Sequence, residues 1–215
     1  MQDKFIENKF TTIIFDLGGV IEKIDPTKVA QSFAKSGMSN AADLFSLLKQ
    51  SSICSAFELG HISEKDFIQH LQTMCYPKTS DFFIEKAWCA NQLGVSKNTM
   101  QTLDQLKNNG FKLFILSNTN PIHANKIEKS FYQTYQRNFK SLFDAVYYSF
   151  ILHRRKPDSK TYQYVLNDAQ LSAENCIYID DLEKNLEPAK KLGVHCIHHQ
   201  TNEEINTIPL LRCFL

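Results

Sequence analysis

An α/β fold, with a parallel sheet covered by helices on both faces and one all-helical insertion, is what this sequence predicts. Three observations carry it. Short apolar runs of strand character recur along the chain, and the later ones alternate with segments of helical periodicity. Four of these runs end in a polar cluster. The long stretch 25–95 contains no convincing strand at all.

The runs are 12–17 (TIIFDL), 111–116 (FKLFIL), 145–148 (AVYY) and 176–179 (CIYI), with a weaker fifth at 194–197. Near-continuous apolar strands suit a sheet buried on both faces. Between 25 and 95 the apolar residues fall three and four apart, as in Val29 and Phe33, in Leu44, Leu47 and Leu48, and in Phe67, Ile68 and Leu71. That spacing predicts helices, and they are too many for one crossover between strands. An inserted helical subdomain over 25–95 follows, with 1–24 and 96–215 forming the α/β core. After it, Met100, Leu103 and Leu106 predict a helix capped by Ser96 and closed by Gly110. Pro157 fits the first position of a helix carrying Tyr162, Val165 and Leu166. Leu182, Leu186, Ala189 and Leu192 predict a last helix, in which Pro188 is expected in the first turn or at a kink.

Composition narrows the function. Of 215 residues, 24 are Lys or Arg and 23 Asp or Glu, a net charge of +1, so no basic field points to nucleic acid or an acidic membrane. No secretory leader and no apolar run of about 18 residues is visible. The six cysteines are scattered without a CxxC pair, as expected of free thiols in a reducing cytoplasm.

In an open parallel sheet the ligand crevice lies at the carboxyl ends of the strands. The sequence places Asp16 at the end of the first strand, Ser117 and Asn118 after the second, Lys156 after the third, and Asp180 and Asp181 after the fourth. Taken singly, each has an ordinary explanation: a helix cap for the acids, a surface position for the lysine. Converging on one edge, they suit a phosphate monoester. A strand-end carboxylate can attack phosphorus. A hard divalent cation such as magnesium would relieve three gathered carboxylates, and lysine and serine can hold the remaining phosphate oxygens. His195, His198 and His199 are a weaker candidate cluster: strand alternation separates His198 from the other two, and no acid or cysteine completes a site.

In order, the stretches FDLGGV, LSNTN, RKPD and YIDD with Asn185 resemble the four signature motifs of the haloacid dehalogenase-like hydrolase superfamily, and the likeness spans nearly the whole chain. Within it, FELGHIS, LSNTN-PIH and IDDLEKNLEPAKKLG are similar to the glucose-1-phosphatase-like enzymes and to the phosphatase domain of soluble epoxide hydrolase. The resemblance implies a Rossmann-like core with a helical cap at 25–95, and a magnesium-dependent phosphatase of a small phosphorylated metabolite such as a sugar phosphate. It implies Asp16 as nucleophile and metal ligand, Gly18 as a carbonyl ligand, and Ser117 and Asn118 as phosphate binders. Lys156 would pair with nucleophile and phosphate, Asp181 would bind magnesium directly, and Asp180 would do so through water.

One position departs from that pattern. Most phosphatases of the superfamily carry a second aspartate two residues after the nucleophile, as general acid and base; here it is Gly18. General acid–base help is worth about 10²–10⁴-fold in rate. Glycine also occurs there in the glucose-1-phosphatase-like branch, and a good leaving group needs less protonation. Glu58 or His61 of the insertion are candidate replacement acids. A catalytically impaired binding protein is the alternative reading. A dehalogenase is a weaker one, because such enzymes typically lack the paired acids of the last motif.

Overall fold

The structure, a computed structural model, describes residues 9–38 and 52–215. Five parallel strands form the sheet: β1 (Thr12–Phe15), β4 (Lys112–Ser117), β5 (Ala145–Tyr148), β6 (Cys176–Asp180) and β7 (His195–His198), in the order β5-β4-β1-β6-β7. All five expected strands are present, including the weak last one. Alternation divides their side chains between two apolar layers. Ile13, Phe15, Leu113, Ile115, Ile177 and Ile179 enter one, and Ile14, Phe114, Leu116, Cys176 and Tyr178 the other. No helix among the described residues is long and apolar enough to cross a membrane.

Between β1 and β4 come α1 (Thr27–Ala34), α2 (Ser52–Glu58), α3 (Glu64–Gln72) and α4 (Asp81–Trp88). They share a core of their own, with Phe33, Phe57, Phe67, Leu71 and Ile84 fully buried. The stripe Leu44, Leu47 and Leu48 lies outside the described residues. The insertion is not purely helical. Strands β2 (Lys23–Ile24) and β3 (Gln92–Gly94) pair antiparallel where the chain enters and leaves it. Strands this short leave no readable period, which is why the sequence shows nothing there.

The remaining helices are α5 (Lys97–Asn108), α6 (Pro121–Tyr135), α7 (Ser149–Leu152), α8 (Ser159–Asp168), α9 (Glu183–Lys191) and α10 (Pro209–Arg212). Ser96 caps α5 as expected, its hydroxyl accepting from Thr99 N at 3.0 Å. One expectation needs correction. Helix α8 begins after Asp158, whose carboxylate accepts from Lys160 N, so Pro157 precedes the helix. Of the two places expected for Pro188, the structure has the one inside α9 and not the first turn.

A buried polar network sits beside the β2–β3 ribbon. His123, in the first turn of α6, accepts at Nδ1 from Asn120 Nδ2 (3.2 Å), which leaves Nε2–H to donate to Trp88 O (3.0 Å). Gln92 Nε2 donates both to His123 O and to the Glu22 carboxyl, each at 3.0 Å. Burial disfavours charge on both titrating groups. It pulls His123 down to about 4, and pushes Glu22 up to about 7 against the opposing pull of the Gln92 hydrogen bond. The two act on stability with opposite signs. An unfolded His123 takes up a proton near pH 6.5 that the folded one refuses, so its contribution is lost as pH falls from 6.5 to 4. Folded Glu22 keeps a proton that the unfolded side chain releases near 4.5, so its contribution is lost as pH rises from 4.5 to 7. At about 1.4 kcal/mol per unit, His123 accounts for roughly 3 kcal/mol. Urea unfolding at pH 7 and pH 4.5 should therefore show His123→Gln losing less stability on acidification than the wild type. Equal losses would remove histidine neutrality as the cause.

Candidate functional site

Strand register assembles the site. Phe15 pairs with Ile179 and with Ile115. The next residue, Asp16, therefore comes level with Asp180 on one side and close to Ser117 on the other. The Asp16 amide continues the ladder by donating to Ile179 O at 2.8 Å. By alternation Asp16, Tyr178 and Asp180 share a face with Ile14, the face covered by α8 and α9. Lys156, in the loop before α8, enters from that side.

Lys156 joins the elements. It is 2% exposed, and its ammonium donates to Asp16 Oδ1 and Asp180 Oδ2, both at 2.7 Å. Burial alone would lower the lysine, but the two carboxylates reverse this and hold it above its ordinary value. Asp180 is likewise pushed up by burial, yet Lys156 and its hydrogen bonds keep it below the usual carboxylate range. Asp16 ends up on the other side: burial and the neighbouring Asp180 charge outweigh Lys156 and raise it to about 7. Desolvation also dominates at Asp181, which is raised.

Asp180 is saturated with donors. Lys156, the Tyr178 hydroxyl, Leu182 N and Asn185 Nδ2 all donate to it. Tyr162 in turn donates to Asn185 O at 2.6 Å. Tyr178 was legible in principle, since a residue two before Asp180 on a strand shares its face. Asn185 acts as an orienting residue, as its place after YIDD suggests.

Asp16, Asp180 and Asp181 lie close together, Lys156 bridges the first two, and Asn118 meets the lysine's backbone. The Asn118 side chain is committed to Lys156: Nδ2 donates to Lys156 O (2.8 Å) and Oδ1 accepts from Lys156 N (2.9 Å). The second Nδ2 proton of the carboxamide is not used in that pair. Ser117 ends β4 and is buried. Asp181 accepts from Thr201 at 2.9 Å. Gly19 has φ +86°, and a Cβ there would lie 2.4 Å from Asp181 Oδ2, so glycine serves both the turn and the carboxylate. Gly18 is under no such constraint: a Cβ would meet only Ile24, at 3.7 Å.

Of the candidate replacement acids, Glu58 is ion-paired with Arg155 at 2.9 Å, and the His61 ring stacks on that of His153 with centroids 6.1 Å apart. Arg155 also reaches Ser55 of the insertion. His195 and His198 are exposed and His199 is buried; none joins a metal-ligand cluster among the described residues.

A metal would fit at Asp16, Asp180 and Asp181. Each offers a carboxylate oxygen, and the three oxygens lie within 4.8 Å of one another. One lysine against three gathered acids, two of them buried, leaves negative charge that a hard, oxygen-seeking cation neutralises.

The sequence model of the haloacid dehalogenase-like hydrolases matches residues 13–199. The chain is 25% identical over 181 residues to a D-ribitol-5-phosphate phosphatase of Bacteroides thetaiotaomicron, covering 84% of this chain and 87% of that one. Its fold is similar to a haloacid dehalogenase family enzyme of the same organism in complex with magnesium and inorganic phosphate. The TM-score is 0.86 and the identity 25%, over 93% of this chain and 99% of the other. A family hydrolase from Porphyromonas gingivalis is similar at TM-score 0.84 and 26% identity, over 95% and 97%.

Gly19→Ala tests the carboxylate geometry. The added methyl displaces Asp181 and holds an L-residue in a left-handed turn, at a cost of about 1–2 kcal/mol. The variant should stay folded yet bind magnesium at least tenfold more weakly in calorimetry. Unchanged affinity would take Asp181 out of the metal site.

Proposed function

Because the chain belongs to the haloacid dehalogenase-like hydrolases, we propose that it hydrolyses a small phosphate monoester, of the sugar or sugar-alcohol class, with magnesium as cofactor. The observation that carries the reading is Lys156, buried between Asp16 and Asp180 at the sheet edge where Ser117 and Asp181 also converge. The family match, the phosphatase relative and the magnesium–phosphate complex of a similar enzyme support it.

In this reading Asp16 is the nucleophile. Lys156 holds one of its oxygens, and the second attacks phosphorus as the bond to the leaving alcohol breaks. The alcohol leaves as its oxyanion and takes a proton from solvent. Water then attacks the aspartyl-phosphate, releasing inorganic phosphate and restoring the carboxylate. Ser117, the Asn118 main chain and the Lys156 ammonium hold the phosphate oxygens, since phosphoryl transfer is mainly positioning and charge stabilisation. Asp16, Asp181 and the Gly18 carbonyl would hold magnesium, which supplies positive charge to the carboxylates and the phosphate oxygens. Asp180, whose oxygens already accept protein donors, fits a role behind a metal-bound water.

The deciding measurement is phosphate release from a panel of small monoesters with and without magnesium. Turnover should require the ion, disappear on chelation, return when magnesium is restored, and be absent in Asp16→Asn. Silence across the panel from folded, magnesium-binding protein would favour a binding role. Activity in Asp16→Asn would exclude the covalent route.

Gly18→Asp addresses the missing acid. A Cβ there meets only Ile24, at 3.7 Å, and a carboxyl should raise turnover of esters with poorly acidic alcohols by up to about 10²-fold. Para-nitrophenyl phosphate, whose leaving group needs no proton, should change little. Equal gains on both substrates would show that protonation is not what limits the native enzyme.

A further inference from the structure

The loop between β4 and α6, residues 117–120, is fastened to the helical insertion at two consecutive residues. The first fastening is Ser149, 1% exposed. Ser117 pairs with Tyr148 across β4 and β5, which brings Ser149 against the loop. Its hydroxyl accepts from Thr119 N at 3.0 Å, and its single proton faces two carbonyls, Glu58 O of the insertion at 2.6 Å and Thr119 O at 2.9 Å. The contact around it is close. His153 Nδ1 lies 2.8 Å from Leu59 O. Gly60 passes so near Phe150 O that a Cβ would sit 2.3 Å from it.

The second fastening is His123. Its ring takes one hydrogen bond from Asn120 and gives one to Trp88 O at the end of α4, while its amide donates to Asn120 Oδ1 at 3.0 Å. The Trp88 indole stacks on the ring, centroids 5.2 Å apart. Thr119 thus answers to α2, and Asn120 to α4.

We propose that Ser149 and His123 are positioning residues through which the helical insertion sets the shape of the phosphate-binding loop. The inference rests on reading 117–120 as that loop. The single hydroxyl proton gives the link two states. With the insertion seated, Ser149 donates to Glu58 O and holds Thr119 only as an acceptor. With the insertion lifted, the proton turns to Thr119 O, and the loop is gripped from both its amide and its carbonyl. The hydroxyl stays satisfied in each state, so seating the insertion changes the loop without leaving a buried hydroxyl unpaired.

Two measurements on the full chain test this: amide hydrogen exchange over 57–61 and 117–120, and calorimetric binding of inorganic phosphate in the presence of magnesium. Ser149→Ala should speed exchange in both segments and His123→Ala over 117–120, and each should weaken phosphate binding about tenfold, as expected when buried donors lose their partners. Ser149→Thr, which keeps the hydroxyl, should stay within about twofold of the wild type on the same argument. The double alanine variant should lose less than the product of the two single losses, because both act on one loop. Unchanged exchange at 117–120 in Ser149→Ala overturns the proposal, as does a Ser149→Thr variant impaired as badly as the alanine. A wild type that neither binds phosphate nor turns over any ester, while Ser149→Ala still loosens both segments, would sink the phosphatase reading and leave the link supported.

Discussion

The buried ammonium of Lys156 is the constraint on which the rest of the site depends. An isolated charge this deep would lose its proton or unfold its surroundings. It persists because Asp16 and Asp180 each accept from it at 2.7 Å. The dependence runs both ways. Without Lys156, Asp16 and Asp180 would stand level on adjacent parallel strands as two buried like charges. Breaking such a buried arrangement from one side is far costlier than its net contribution suggests. The backbone of the lysine is accordingly held as firmly as its side chain, with the Asn118 carboxamide closing two hydrogen bonds on it.

Lysine satisfies two acids, and the site has three. Among the described residues Asp181 draws only on Thr201 for a side-chain donor, and desolvation raises both it and Asp16. Asp180 is depressed because it monopolises the donors, taking Lys156, Tyr178, Asn185 and the Leu182 amide. The asymmetry divides labour among like residues. The acid with the full complement of donors is an anchor, and the two with unfilled capacity face the position where a cation and a phosphate would meet. Neighbours, and not residue type, make that difference.

The legible and illegible parts of this fold separate along physical lines. Apolar runs revealed all five strands of the sheet, and the polar residues ending four of them marked the candidate site, because strand ends in a parallel sheet share one edge. Short-range devices escaped. The β2–β3 ribbon is too brief to have a period. Pro157 looked like a helix start because φ alone suits that position, yet the Asp158 carboxylate sets the cap. Ser149 and His123 carry no pattern, since a residue that joins two segments distant in sequence is defined by where the chain folds. Tyr178 lies between: its place two before Asp180 was visible, but only the structure shows its hydroxyl turned onto that carboxylate.

Gly18 is the remaining question of chemistry, and its surroundings bear on it. Gly19 cannot be replaced without striking Asp181, whereas Gly18 has neither a left-handed φ nor a close neighbour beyond Ile24. Glycine at 18 is therefore not imposed by the turn, and an added Cβ would make only ordinary contact with Ile24. The absence of an aspartate there fits a reaction whose leaving group needs little protonation, or a site that trades acid catalysis for tight enclosure of the phosphate. On the proposed reading, the second would lean on the two fastenings between insertion and core, which both end on residues 117–120; of the two candidate acids, Glu58 is held by Arg155 and His61 lies on His153. Rate in such an enzyme depends on how well the insertion seats, because positioning and charge are what phosphoryl transfer asks of a protein.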